Sequence, residues 1–369
     1  MATTVTNAKV YSTNKGGIIK KDMKRKKRSE SLSQSLLSRL EKHQTCSKHE
    51  LEMCIKHLLQ IFSHPPEPAT SRLVNSTLEE LSASIKVFNK FKQPQKISIF
   101  GSSRTKPSNP NYQIAEALSK KLTELGFHII TGAGPGIMEA GNKGALPEKS
   151  FGLNIELPFE QKANKYIQNS NKLISYRYFF LRKLFFIRES AATIIFPGGY
   201  GTHDEGFEIL TLLQTGRCAP RPLLLMTYTE STYWETWENY IKTQLLANHY
   251  ISEEDLSLFK ICHDPDEAIQ WIYNYYSVYH SIRYLNDFTV MRLNKALSKS
   301  TLKIINDKFQ HLLLDEATLE GKFKVISHKE IPEEKELYPN KKRLVFKFNK
   351  TDFGGLNQLI LELAKLKNK

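Results

Sequence analysis

Between residues 96 and 226, short apolar runs alternate with stretches long enough for helices, and three of the runs end in glycine-containing turns. Residues 97–100 lead into Gly101-Ser102-Ser103-Arg104. Residues 127–130 lead into Thr131-Gly132-Ala133-Gly134-Pro135-Gly136. Residues 192–196 lead into Pro197-Gly198-Gly199-Tyr200-Gly201-Thr202. Further strands are expected at 150–157, 172–176 and 223–226. Helices are expected at 111–125, from Ile137, at 178–188 and from Thr202 to about Thr215, with Gly126 and Gly216 closing two of them. A short strand that is apolar on both faces must be covered on both sides, and crossover helices supply that cover. The expected fold class is therefore α/β, a Rossmann-like doubly wound parallel sheet. Such sheets bind ligands beyond the carboxyl ends of their strands, where these three turns would lie.

The 369 residues leave room for material on both sides of this sheet. Residues 1–30 read as a basic disordered tail and 31–95 as a helical leader. Residues 96–284 form the expected catalytic domain, and 285–369 a small α/β appendage. In the leader, Leu36, Leu37, Leu40, Leu51, Ile55, Leu58, Leu59 and Phe62 recur at helical spacing. Pro65, Pro66 and Pro68 interrupt the pattern, and a second helix follows at 71–91. Near the far end, helices are expected at 233–246 and 264–284, strands at 290–297 and 343–348, and an amphipathic helix at 355–366.

Net charge is +15, and the first 50 residues carry +8 of it. The densest run, residues 20–28, reads as a solvated tail; contact with nucleic acid or an anionic surface is the alternative. The tail is also Ser-rich and acid-poor, as transit peptides are. No run is long and apolar enough to span a membrane, and no secretory signal is expected. Cys46, Cys54, Cys218 and Cys262 form no C-x-x-C pair. Neither a zinc site nor a disulfide framework is expected, and a cytoplasmic, reducing compartment fits.

The turn at 197–202 carries the most chemistry. Glycines let backbone approach an anion, and the helix that follows offers unpaired N–H groups. Thr202 suits either a helix cap or a phosphate contact, and Glu205, three residues on, suits either a capping box or catalysis. The turn at 132–136 is a second candidate cradle. It lacks the last glycine of a dinucleotide fingerprint, because Ile137 stands there, and it lacks the P-loop ending. Arg182-Lys183 interrupts an aromatic helix. Snorkelling surface cations would explain the pair, but so apolar a segment points instead to a cation turned into a polar pocket.

The run Pro197-Gly198-Gly199-x-Gly201-Thr202-x-x-Glu205, with Arg182-Lys183 ahead of it, resembles the Lonely Guy family of phosphoribohydrolases, long misannotated as lysine decarboxylases. Gly101-Ser102-Ser103 and the segment 134–140 resemble its bacterial long-form branch, as does the C-terminal run 343–354. The resemblance covers about half the chain, residues 96–284. It implies hydrolysis of the N-glycosidic bond of a nucleoside 5′-monophosphate to free base and ribose 5-phosphate. It further implies Arg182 and Glu205 as the catalytic pair. Gly198, Gly199, Gly201 and Thr202 would bind phosphate, and Ser103, Gly134, Gly136, Met138, Glu139 and Lys183 would lie at the nucleotide pocket. Gln214 would approach the base. No cofactor and no metal is implied, and the partners are the nucleotide and a second copy of the chain, as a homodimer or higher homo-oligomer.

Plant-type members carry Met-His before x-Arg-Lys, where this chain has Phe179-Phe180. An ordinary purine or pyrimidine nucleotide such as AMP is therefore expected ahead of a cytokinin-type N6-substituted AMP. His203 and Asp204 fill variable positions, with Asp204 at most auxiliary. The chief rival is a non-catalytic nucleotide-binding or sensing protein. Lysine decarboxylation would need pyridoxal phosphate and a Schiff-base lysine, for which the sequence holds no independent signal.

Overall fold

The computed structural model describes residues 47–65, 67–93, 95–157, 162–285, 288–314, 322–334 and 337–366. The expected tail at 1–30 and the first part of the leader lie outside them. The chain forms two compact units, one ending at Ser76 and one of Thr77–Lys369. The first holds α1 (Lys48–Ile61) and the opening of α2 (Pro68–Lys90). Ser47 caps α1: its Oγ accepts from the Glu50 amide at 3.2 Å and donates to the Glu50 carboxylate at 2.9 Å.

The rest of α2 belongs to the second unit, so the leader expected at 31–95 is divided within a helix. Phe88 of α2 is buried and stacks on Phe151 and Phe185, with ring centroids 5.4 and 5.7 Å away. Ser84 Oγ and Tyr176 Oη lie 2.7 Å apart, and Glu80 accepts from the Arg177 amide at 2.9 Å. Polar and aromatic contacts thus bind this half of α2 to the sheet.

The main sheet runs β1 (Lys96–Phe100), β2 (His128–Thr131), β3 (Ser150–Ile155), β4 (Leu173–Tyr176), β5 (Ser190–Ile195), β6 (Leu223–Met226) and β7 (Lys260–Cys262) along the chain. In space the order is β4-β3-β2-β1-β5-β6-β7, every pair parallel. The chain builds outward from β1 to β4, then returns to lay β5 on the free side of β1. That reversal opens a crevice between the carboxyl ends of β1 and β5. Every residue of β1 and β6 is buried, as strands covered on both faces require. One face packs under α5 (Phe179–Glu189), α6 (Tyr200–Gln214) and α7 (Tyr233–Tyr240), with Phe100, Phe185, Ile195 and Trp234 in its core. The other packs under α3 (Pro110–Glu124), α4 (Ile137–Ala145) and α8 (Pro265–Tyr275), around Ile97, Ile99, Leu118 and Ile194.

Two expectations change towards the C-terminus. The helix expected at 233–246 is α-helical only to Tyr240 and widens to a π-helix over Ile241–Leu246. The helix expected at 264–284 stops at Tyr275, and Tyr279–Tyr284 is a strand, β8, paired antiparallel with β9 (Thr289–Leu293). Tyr275, Tyr276 and Tyr279 pack on one another at 5.4–6.1 Å, so the aromatic spacing that mimicked a helical stripe is a cluster across the helix–strand junction. With β10 (Lys324–Ile326) and β11 (Lys342–Phe346), these strands form a second sheet, β10-β11-β9-β8. The boundary expected at 284/285 therefore falls between two paired strands. This sheet shares a core with α9 (Lys299–Lys308) and α10 (Phe353–Lys365). No helix of the described residues is long and apolar enough to cross a membrane.

Candidate functional site

Ser102 ties the three turns together. Its amide donates to the Pro197 carbonyl at 3.1 Å, and its own carbonyl accepts from the Ile137 amide at 3.1 Å. Gly136 lies against it with φ +68°, and a Cβ there would overlap the Ser102 carbonyl oxygen. Gly198 is equally confined, since a Cβ on it would overlap Thr202 Oγ1. Close backbone approach explains both glycines better than freedom of motion does.

Over this junction, at the β1/β5 crevice, lies a cavity of about 750 Å³. Ser103 reaches it from the end of β1, Met138 from α4 and Arg182 from α5. The turn after β5 contributes Gly198, Gly199, Gly201 and Thr202, and α6 contributes Glu205. Phe179 and Leu157 add an apolar wall. The N-cap of α6 is Gly199, so Thr202 stands inside the first turn and is not the cap. This removes the capping-box reading of Thr202 and Glu205: the Glu205 carboxylate belongs to the cavity.

Other expected residues lie elsewhere. The Gly134 carbonyl accepts from Asn164 Nδ2 at 3.0 Å, behind the turn. Gly136 is spent on the contact with Ser102. Glu139 faces Tyr112, and burial first, then this carboxylate, pushes the phenol up to about 12. Lys183 pairs with Asp204 at 2.8 Å and Glu208 at 2.6 Å, and these bonds outweigh the opposing effect of burial to raise its pKa. It borders the site without lining it. Gln214 is not near the cavity: it closes α6, where its amide donates to Asp255 at 2.7 Å. At 1.5 Å per residue it stands about 13 Å along the helix from Glu205.

Electrostatics set Arg182 and Glu205 apart. Both are buried, with 9% and 4% exposure. Burial raises Glu205 to about 7, against the pull of Lys183 and Arg182. Burial also lowers Arg182, against the support of Glu205, Tyr176 and Asp204. Arg182 Nε has no hydrogen-bond partner among the described residues, and its guanidinium lies 5.4 Å from the Phe186 ring and 5.8 Å from that of Phe179. A buried cation with an unused donor and a carboxylate titrating near neutrality suit an anionic ligand and acid–base work. Among the described residues, no three His, Cys, Asp or Glu side chains are grouped to hold a metal ion.

Sequence reasoning missed three supports. Ser102 stands beside Ser103 and acts through its backbone, which no side-chain pattern marks. Asn164 Nδ2 bonds Ala133 O, Gly134 O and Asn142 Oδ1 at 2.9–3.1 Å, from about thirty residues downstream. Tyr233 approaches the turn from α7. Neither Asn164 nor Tyr233 carries a local motif.

Residues 136–272 match the family described as possible lysine decarboxylase. Over this segment, 137 of the 369 residues, the chain is similar to that family. The matched stretch begins at Gly136 and includes Arg182, the 197–202 turn and Glu205, so it spans most of the cavity. No curated protein matches the chain. Among solved structures, it is similar to the molybdenum cofactor binding protein of the phototrophic bacterium Rippkaea orientalis, with 18% identity over 49% of this chain and 97% of that one, TM-score 0.36. It is also similar to DNA processing protein A of Helicobacter pylori, with 20% identity over 50% and 82%, TM-score 0.35. The molybdenum cofactor carrier protein of Chlamydomonas reinhardtii shows 17% identity over 49% and 96%, TM-score 0.34.

Proposed function

We propose that the protein hydrolyses the N-glycosidic bond of a nucleoside 5′-monophosphate, releasing free base and ribose 5-phosphate. The observation that carries this reading is Glu205: a carboxylate 4% exposed, titrating near 7, in a cavity shared with a glycine turn at a helix N-terminus. Cleavage develops positive charge on the ribose ring. A carboxylate near C1′ stabilises that charge and deprotonates or orients water. The N–H groups of residues 199–201 receive the 5′-phosphate, and Arg182 adds a cation for the phosphate or the departing base. Phosphate binding away from C1′ positions the sugar for reaction.

The apolar wall of Phe179 and Leu157 suits the face of a base; AMP is the first candidate and an N6-substituted AMP a lesser one, because Phe179-Phe180 stand where plant-type members carry Met-His. A homodimer and a cytoplasmic location go with the reading. In support of the first, Phe179, Phe180 and Leu184 lie half exposed along α5. In support of the second, Cys54, Cys218 and Cys262 are free thiols. The test is a panel of nucleoside monophosphates, deoxy and N6-substituted forms included, assayed for free base and ribose 5-phosphate. Release of both products by wild type and not by Glu205→Ala is the expected result. Nucleotide binding with no product from any member would leave a binding protein instead.

A further inference from the structure

The glycine turn hangs on one phenol. Tyr233, the first residue of α7, donates its hydroxyl to the Gly198 carbonyl at 2.6 Å, and the Gly198 amide returns to the same oxygen at 3.4 Å. His203 Nε2 stands 2.7 Å from that oxygen. A phenol has a single proton, and a carbonyl can only accept. The proton is therefore committed to Gly198, and His203 must donate from Nε2. This assigns the histidine tautomer and saturates the hydroxyl.

The clamp has a firm mount. Tyr233 meets Trp234 edge-on with centroids 4.8 Å apart, and Trp234 Nε1 donates to the Met226 carbonyl at the end of β6 at 2.9 Å. The His203 ring lies nearly parallel to that of Tyr233 at 6.0 Å. Gly198 has no side chain of its own to anchor, and contact with Thr202 leaves no room for one. A glycine pair is conformationally loose, so its N–H groups stay aimed at a ligand only if something outside the turn fixes the peptide.

We propose that Tyr233, oriented by His203, is a positioning residue that fixes the Gly198 peptide so that the N-terminal turn of α6 presents its N–H groups to the phosphate of the substrate. This rests on the nucleotide reading above. Tyr233 need not touch substrate; it acts through Gly198. His203 lines the cavity as well and orients the phenol from the opposite side.

The test uses the full chain with Tyr233→Phe, which keeps the ring and its packing and removes only the hydroxyl. Three quantities are read: melting temperature, affinity for inorganic phosphate and for AMP by calorimetry, and KM and kcat for AMP. The expected outcome is a near wild-type melt, with phosphate and AMP affinity weakened about fivefold, the size of one lost neutral hydrogen bond, and KM raised more than kcat is lowered. His203→Gln retains a donor at the same reach and should bind phosphate as wild type does. His203→Leu should reproduce Tyr233→Phe, and the double variant should be no worse than either single one. Unchanged phosphate and AMP affinity in Tyr233→Phe would overturn the proposal, as would His203→Gln and His203→Leu behaving alike. If wild type binds phosphate in a Tyr233-dependent way but releases no base, the hydrolase reading fails and the clamp stands. If wild type binds neither probe, the clamp has no ligand to position and is wrong.

Discussion

Gly136 and Ser102 meet so closely that any side chain at 136 would overlap the Ser102 carbonyl oxygen. The contact joins the turn after β2 to the turn after β1, while the Ser102 amide holds the end of β5. Three strand ends separated along the chain are fixed at one point, and the cavity is built on it.

Two glycine substitutions should therefore behave in opposite ways. Gly136→Ala meets backbone at a φ of +68° and should cost more than about 2 kcal/mol, read as a lowered melting temperature. Gly199→Ala has nothing within 4 Å of its new Cβ and a φ of −95°, and should stay within about 0.5 kcal/mol of wild type. Equal losses would contradict the assignment of Gly136 as a contact glycine.

Glu205 should work against stability at neutral pH and above. Its folded value near 7 exceeds the ordinary 4.5, so the folded state holds a proton that the unfolded state has released. Stability is therefore lost as pH rises from about 4.5 through 7. Glu205→Gln should exceed wild type by up to about 3 kcal/mol at pH 8, with the two converging near pH 4, while base release falls at least about a hundredfold. Denaturant titrations at the two pH values check the first claim, and product assays the second.

Lys183 is the strongest pull lowering Glu205, ahead of Arg182. Removing it in Lys183→Met should carry Glu205 further above 7. If the carboxylate is the active form, activity rises with pH through its pKa, so the acid limb of the kcat/KM profile should move to higher pH. Lys183→Arg should move it back. The pH–rate profiles of the three proteins decide this, and an unmoved limb would count against Glu205 as the titrating group.

In the second sheet, the fully buried Glu334 accepts from Arg292 Nε and Nη2 at 2.8 and 2.6 Å and from Arg343 Nη2 at 3.2 Å. Burial pushes its pKa up, but the hydrogen bonds and charge of Arg292, a hydrogen bond from Arg283 and the charge of Arg343 win, leaving it below the ordinary value. Its stabilisation is thus present above the unfolded carboxylate pKa and lost as pH falls through the folded one. Glu334→Gln should leave buried arginine charge uncompensated and cost about 3–5 kcal/mol at pH 7. The gap to wild type should narrow in acid, and urea unfolding at pH 7 and pH 4 measures it.

Most of the main sheet was legible in the chain, because runs such as Ile97-Ser98-Ile99-Phe100 and Leu223-Leu224-Leu225-Met226 are short, apolar and bounded by turn residues. The strand at Tyr279–Tyr284 was not. Its aromatic spacing suits a helix as well, and what makes it a strand is pairing with Thr289–Leu293. The burial of Arg182 was suggested by its apolar neighbours. The place of Gln214 depended on how far α6 runs from the turn, which no motif states. Asn164 and Tyr233 are single residues whose partners lie about thirty positions away.

By itself, then, the sequence determined a parallel α/β sheet with glycine turns at its strand ends and one turn suited to an anion, since strand burial and glycine spacing are local patterns. The tertiary structure alone decided which turns meet. It brought β5 beside β1, stacked Gly136 on Ser102, and hung Gly198 from Tyr233. It also buried Glu205 far enough to lift its pKa towards neutrality. Those outcomes depend on desolvation and on contacts between distant segments, and neither quantity exists until the chain has folded.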